Sequence, residues 1–132
     1  MNGKFIQASQ VEWEQLDWGQ LGWISRPVFT GARDVTVIEV ILKPGFGHNF
    51  HMHPVQEEVI YVVSGEIEQW LEENKRVLSA GDAVFIAAGV VHASFNEGGE
   101  PARLMVTLGP CDGEDGYVSV EVGDQAPWNT LR

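Results

Sequence analysis

The chain has 132 residues, 44% of them apolar, which is enough for one domain with its own hydrophobic core. Nineteen acidic side chains against eight basic ones give a formal charge of −11, a field that repels phosphate backbones and lipid headgroups and argues against nucleic-acid and membrane partners. The first thirty residues carry Glu12, Glu14 and Asp17 and no long apolar run, so neither a secretory leader nor a transmembrane span is drawn there, and a cytoplasmic single domain over 1–132 is expected.

In chain order, Val11 to Leu21 is the only stretch with room for a short helix, and Gly19 and Gly22 weaken it. From there on, apolar residues recur with a period of two, rich in Val, Ile, Phe and Thr, which predicts strands. They run from Val35 to Leu42, Glu58 to Val63, Ile67 to Leu71, Ala83 to Ile86, His92 to Phe95 and Arg103 to Leu108. Lys43-Pro44-Gly45, Ser64-Gly65-Glu66, Ser79-Ala80-Gly81-Asp82 and the run from Asn96 to Pro101 supply the φ values that tight reversals need. No repeat, linker or low-complexity tract interrupts the pattern, which reads as an antiparallel sandwich or barrel. Cys111, the single cysteine, falls in an exposed-turn context, Gly109 to Gly113, and reads as a free thiol.

Alternation also assigns faces. If Glu58, Ile60 and Val62 point into the barrel, then Val59, Tyr61 and Val63 point outward and need a cover. A second layer, the Trp-rich N-terminal arm or a partner would serve, and a symmetric homodimer is the expected solution.

His51-Met52-His53 places two imidazoles on one face of an extended strand, a spacing that suits chelation. Alone the pair says little, because nearby strand histidines are more often solvated or hydrogen-bonded than metal-bound. The surrounding residues say more. Gly45, His51, His53, Glu58 and Gly65 stand as G-x5-H-x-H-x4-E-x6-G, and Gly81, Gly89, His92 and Asn96 follow as G-x7-G-x2-H-x3-N. Over Lys43 to Asn96 the chain resembles the cupin superfamily, whose two signatures these are. One position departs: Ala87 stands where a proline is usual, which loosens a turn without touching a ligand.

The resemblance implies an all-β, antiparallel double-stranded β-helix, or jelly-roll barrel. Residues 1–30 would form an N-terminal arm, 43–96 the two motifs, and 97–132 closing strands and a tail. It also implies one divalent metal ion, Fe, Mn, Ni or Zn, held by His51, His53, Glu58 and His92. Burying three imidazoles and a carboxylate in an apolar barrel is costly unless they are coordinated or paired, which supports that carry-over. Four such ligands leave up to two positions on a six-coordinate ion for an oxygen-bearing molecule.

Other residues receive plainer expectations. Glu57 has the opposite strand parity and points to solvent, a fallback ligand only if the strand carries a bulge; Gln56 is expected as a loop-end polar residue rather than one turned inward beside Glu58; and Asn96 ties down a turn. His48 lies three residues before His51, so regular alternation sends it to the rim or surface. It reaches the pocket only if Gly45 and Gly47 bend the segment. Trp13, Trp18 and Trp23 are expected to pack or to cover an interface.

The expected activity is that of a metal-dependent enzyme, dioxygenase-like or a Lewis-acid isomerase or lyase, acting on a small oxygen-bearing metabolite. Glu58 would be the candidate proton acceptor. The competing reading is a non-catalytic module that captures a polar metabolite or sugar with the metal as anchor. A ligand-sensing transcription factor is set aside because this acidic chain offers no DNA-binding segment.

Overall fold

Period-two patterning becomes strand pairing along most of the chain, which the computed structural model describes over residues 2–132. The first hairpin joins β1 (Glu12–Leu16) to β2 (Gly19–Ser25), and a single helical turn, α1 (Pro27–Thr30), leads to β3 (Thr36–Leu42). There follow β4 (Gly47–Met52), β5 (Glu57–Ser64), β6 (Glu66–Leu71), β7 (Asn74–Ser79), β8 (Ala83–Ile86), β9 (His92–Phe95), β10 (Ala102–Gly109) and the short β11 (Val120–Glu121). Two antiparallel sheets result, in the orders β1-β2-β3-β10-β5-β8 and β11-β4-β9-β6-β7. They face each other as the jelly-roll barrel that the motifs imply.

The expected strands are all present, within a residue of their predicted ends. The N-terminal expectation needs correcting: Val11 to Leu21 is not helical but forms most of the β1–β2 hairpin. Its glycines, which disfavour a helix, serve close packing instead. A Cβ on Gly19 would sit 1.9 Å from the Ile41 carbonyl oxygen, and one on Gly22 would strike the Trp13 ring. Strands β4, β7 and β11 complete the sheets beyond the predicted set.

Strict alternation on β3, β5 and β10 drives one face of each strand inward. Ile38, Val40, Leu42, Ile60, Val62, Leu104, Val106 and Leu108 meet Leu21, Trp23, Ile67 and Ile86 between the sheets. A second apolar cluster lies on the outside of the other sheet. There the C-terminal tail lays Val122, Trp128 and Leu131 over Phe50, Trp70, Ala93 and Phe95. Arg132 pins the tail by bonding Glu68 at 2.9 Å, pairing with Glu97 and stacking on Phe95 at 3.6 Å.

Turn chemistry registers the two motifs against each other. Gly65 has φ +83°, and a Cβ there would lie 2.8 Å from the Ala102 backbone. Gly89, φ +79°, donates its N–H to the His53 carbonyl at 2.8 Å, so the second motif grips the first by its backbone. The turn closes through Val90 N–H to the Ala87 carbonyl, and it forms without the proline usual at that position. Asn96 ties its turn as expected, donating to the Leu42 and Glu100 carbonyls and accepting from Gly98 N–H. No helix among the described residues is long and apolar enough to cross a membrane.

Candidate metal centre

Strands from both sheets deliver the site. His51 on β4 pairs in register with His92 on β9, Glu58 enters from β5 of the opposite sheet, and His53 follows β4 on the segment that links the sheets. All four side chains are buried, each exposed by 4% or less. One ligand nitrogen from each of His51, His53 and His92 falls within 4.8 Å of the others, so this trio could hold a metal ion. Glu58 Oε1 stands 2.8 Å from His92 Nε2 and 3.4 Å from His53 Nε2.

Backbone carbonyls orient the three rings. His51 Nδ1 donates to Asn49 at 2.6 Å, His53 Nδ1 to Val118 at 2.8 Å and His92 Nδ1 to Val90 at 2.9 Å. A carbonyl only accepts, so in each neutral ring the proton sits on Nδ1 and Nε2 carries the lone pair. His53 Nε2, His92 Nε2 and Glu58 Oε1 are buried without a hydrogen-bond partner. Three electron-rich atoms thus converge where nothing in the protein donates to them, an arrangement a cation satisfies. Ligands about 2.1 Å from one ion and at right angles lie about 3 Å apart, close to the observed separations.

Electrostatics follow the same geometry. Burial opposes ionisation of Glu58, but the imidazoles of His53 and His92 outweigh it and hold its carboxyl down at about 2. For His53, burial pulls the imidazole down, yet the neighbouring Glu58 carboxylate and the Val118 carbonyl raise it above its ordinary value of 6.5. His51 is pushed well below 6.5 by burial, with His48 and His92 adding repulsion. A proton bound to His53 Nε2 would occupy the position a metal would take.

Gln56 is not a loop-end polar group but a buried strut, 1% exposed. Its amide donates to the carbonyls of Pro110 at 2.8 Å and Gly116 at 2.9 Å, and its oxygen accepts from Val118 N–H at 3.2 Å. Val118 is the residue whose carbonyl orients His53, so Gln56 positions that imidazole without touching the centre. Glu57 is exposed, as its parity predicts.

His48 departs from expectation. Register slips between His48 and His51, where three steps on β4 span two on β9. This bulge turns both histidines to the same side. Their rings stack at 3.6 Å, Trp18 stacks on the other face of His48 at 4.8 Å, and His48 Nε2 meets Glu121 Oε1 at 3.1 Å. Trp18 is accordingly a pocket wall, whereas Trp23 is core and Trp13 covers Gly22. Tyr117 is a wall that sequence reading overlooked, its ring 5.0 Å from that of His53. Burial and the Glu58 charge raise its hydroxyl further, keeping it neutral. Cys111 is half-buried, with its thiol 3.3 Å from both Thr36 Oγ1 and the Val35 carbonyl.

A narrow cavity opens beside these side chains. Leu21, Ile38, Val40, Leu42, Ile60, Leu104 and Val106 form its apolar floor, and His48, His51, Glu58 and Ser94 its polar wall. Trp18, Leu21, His48 and Tyr117 also line an outer vestibule with Glu14, Asp115, Ser119 and Glu121.

Comparison with known proteins agrees with this architecture. The family described as Cupin domain matches residues 38–108. A polyketide synthase protein, CurC of Streptomyces cyaneus, is 30% identical over 110 residues, covering 83% of this chain and 71% of its own. The pectin degradation protein KdgF of Dickeya dadantii is 30% identical over 89 residues, covering 66% of this chain and 78% of its own. Among solved structures, the polyketide cyclase RemF from Streptomyces resistomycificus superposes with a TM-score of 0.73 at 21% identity, over 97% of this chain and 96% of RemF. With both motifs in register and the family match spanning more than half its length, this chain belongs to the cupin family.

Proposed function

We propose that this cupin is a metal-dependent enzyme that binds a small oxygen-bearing metabolite at one divalent ion held by His51, His53, Glu58 and His92. The observation that carries the reading is the convergence of His53 Nε2, His92 Nε2 and Glu58 Oε1, buried together without a hydrogen-bond donor. An ion of Fe, Mn, Ni or Zn bound there would supply Lewis acidity toward a carbonyl, enol or carboxylate oxygen, with dioxygen activation added for a redox-active metal. The relatives' names support a carbonyl-bearing substrate, since a polyketide carries repeated ketone oxygens.

The chain's own groups have distinct tasks in this reading. The three backbone carbonyls fix the imidazole tautomers, and Gln56 holds the segment that carries one of them. A Glu58 carboxylate that leaves the ion would be the group placed to accept a proton from the substrate. The apolar floor excludes water from that transfer.

His92→Ala tests the ligand set. The variant is expected to remain folded and to purify with less than about a tenth of the wild-type metal content by elemental analysis, as expected for loss of one of four ligands. Full metal content in the variant would overturn the assignment. Metal-loaded wild type that binds diketones yet turns over neither diketones nor phenols, with or without dioxygen, would favour the non-catalytic module.

We also infer that a second copy of the chain covers the outer face of β5 and β8. Val59, Tyr61, Val63 and Phe85 are each 42–57% exposed there, on neighbouring strands.

A further inference from the structure

The vestibule outside the candidate metal centre has a one-sided charge. Glu14, Asp115 and Glu121 line it, and no lysine or arginine lines either it or the cavity among the described residues. Arg26 offsets one of these charges but is already engaged: it pairs with Asp115 at 3.4 Å and Glu12 at 3.2 Å and stacks over Trp23 at 4.5 Å. A carboxylate or phosphate in the vestibule would therefore find no free fork of donors and would face Glu14 and Glu121, with only Asp115 offset by a cation, in a chain already at −11. Away from the four buried groups and their ion, the apolar floor offers it no refuge, because a charge there has no partner.

The same passage presents aromatic faces. Trp18 stacks on His48 with an interplanar angle of 16°, His48 stacks on His51, and Tyr117 stands across the shared lining. Glu121 holds His48 in that stack, and Ser119 Oγ donates to the same carboxylate oxygen at 3.1 Å. Planar surface thus leads from solvent to the buried unpartnered atoms of His53, Glu58 and His92.

From these two observations we infer that the site selects ligands by the charge of their outer part: the portion lying in the vestibule is flat and either uncharged or cationic, and ligands that carry a carboxylate or phosphate in that portion are rejected. Trp18 is the principal stacking surface, and Glu14, Asp115 and Glu121 are the residues that set the charge selection. The inference rests on the metal-centre reading, because the ligand's oxygen-bearing head is what the four buried groups and their ion receive.

Benzoylacetone and its para-carboxylate and para-trimethylammonium derivatives share one chelating head and differ only at the distal position. Their binding to zinc-loaded protein is followed by tryptophan fluorescence and calorimetry. Neutral and cationic compounds are expected to bind at least about tenfold more tightly than the carboxylate at low salt. The gap should shrink at about 1 M salt and in Glu14→Gln/Asp115→Asn, since screening and charge removal weaken the same repulsion. Trp18→Ala should weaken the neutral compound by about tenfold while Trp18→Phe restores most of it, separating stacking from mere packing. Equal or tighter binding of the carboxylate, or a gap indifferent to salt and to the double variant, would overturn the charge selection and leave the metal centre standing. Protein that takes up no zinc by elemental analysis would overturn both.

Discussion

At the scale of single residues, a proton and the proposed metal would compete for one position. His53 gains its proton more readily than an ordinary imidazole because the Glu58 carboxylate lies 3.4 Å away, while His51 is held neutral by burial and by its histidine neighbours. Metal binding requires the deprotonated ring, so the sign is determined: as pH falls through the His53 value, above 6.5, the apparent affinity declines. A slope of about tenfold per pH unit is expected over that range, with no second proton from His51 until well below 6.5. Zinc titrations between weakly alkaline and weakly acidic buffers measure it, and an affinity flat across neutrality would show that His53 is not a ligand. The four residues gathered at the centre were legible in the sequence through the spacing of the two cupin motifs. Gln56 was not, since its role depends on the 110–118 loop folding back to present three backbone groups, a contact between residues some sixty positions apart.

At the scale of elements, β4 decides what the pocket contains. Its bulge lets Phe50 face the outer cluster while His48 and His51 share the inner side, a result that strict alternation forbids. That is why the sequence reading placed His48 on the rim: parity reads a regular strand correctly and fails at one inserted residue. Gly47 permits the pairing next to the bulge. A Cβ there would lie 2.4 Å from the Ser94 carbonyl oxygen and 2.7 Å from Phe95 Cα. Gly47→Ala is therefore expected to cost about 2 kcal/mol in urea unfolding of the metal-free protein. Gly99→Ala, which meets nothing within 4 Å, should stay within about 0.5 kcal/mol of wild type. Equal stability of the two variants would mean that the β4–β9 contact is looser than described. The β1–β2 hairpin escaped prediction for a related reason: a glycine is a helix breaker in local terms and a point of close approach in a sheet, and only the paired strand tells the two apart.

At the scale of the whole molecule, the two faces of the barrel are finished differently. The tail from Val122 to Arg132 seals the outside of the β4–β9 sheet, with Trp128 stacked on Phe50 at 5.7 Å, so that strands carrying His51 and His92 are backed by apolar packing. The opposite sheet keeps Val59, Tyr61, Val63 and Phe85 in water unless another surface meets them. Sedimentation equilibrium is expected to give twice the chain mass, and Tyr61→Glu to give a folded monomer, because a buried carboxylate without a partner opposes association. A wild-type monomer at tens of micromolar would contradict the inferred dimer. The jelly-roll and its apolar interior were readable from period-two patterning and the two motifs, whereas the tail's cover was not, since Val122, Trp128 and Leu131 show no strand period of their own.

Anomalous diffraction from crystals of the zinc-loaded protein tests the central claim most directly. One strong peak is expected within about 2.0–2.2 Å of His51, His53 and His92 Nε2 and of a Glu58 oxygen. A peak bound elsewhere, or four ordered side chains with no ion between them, would contradict the account.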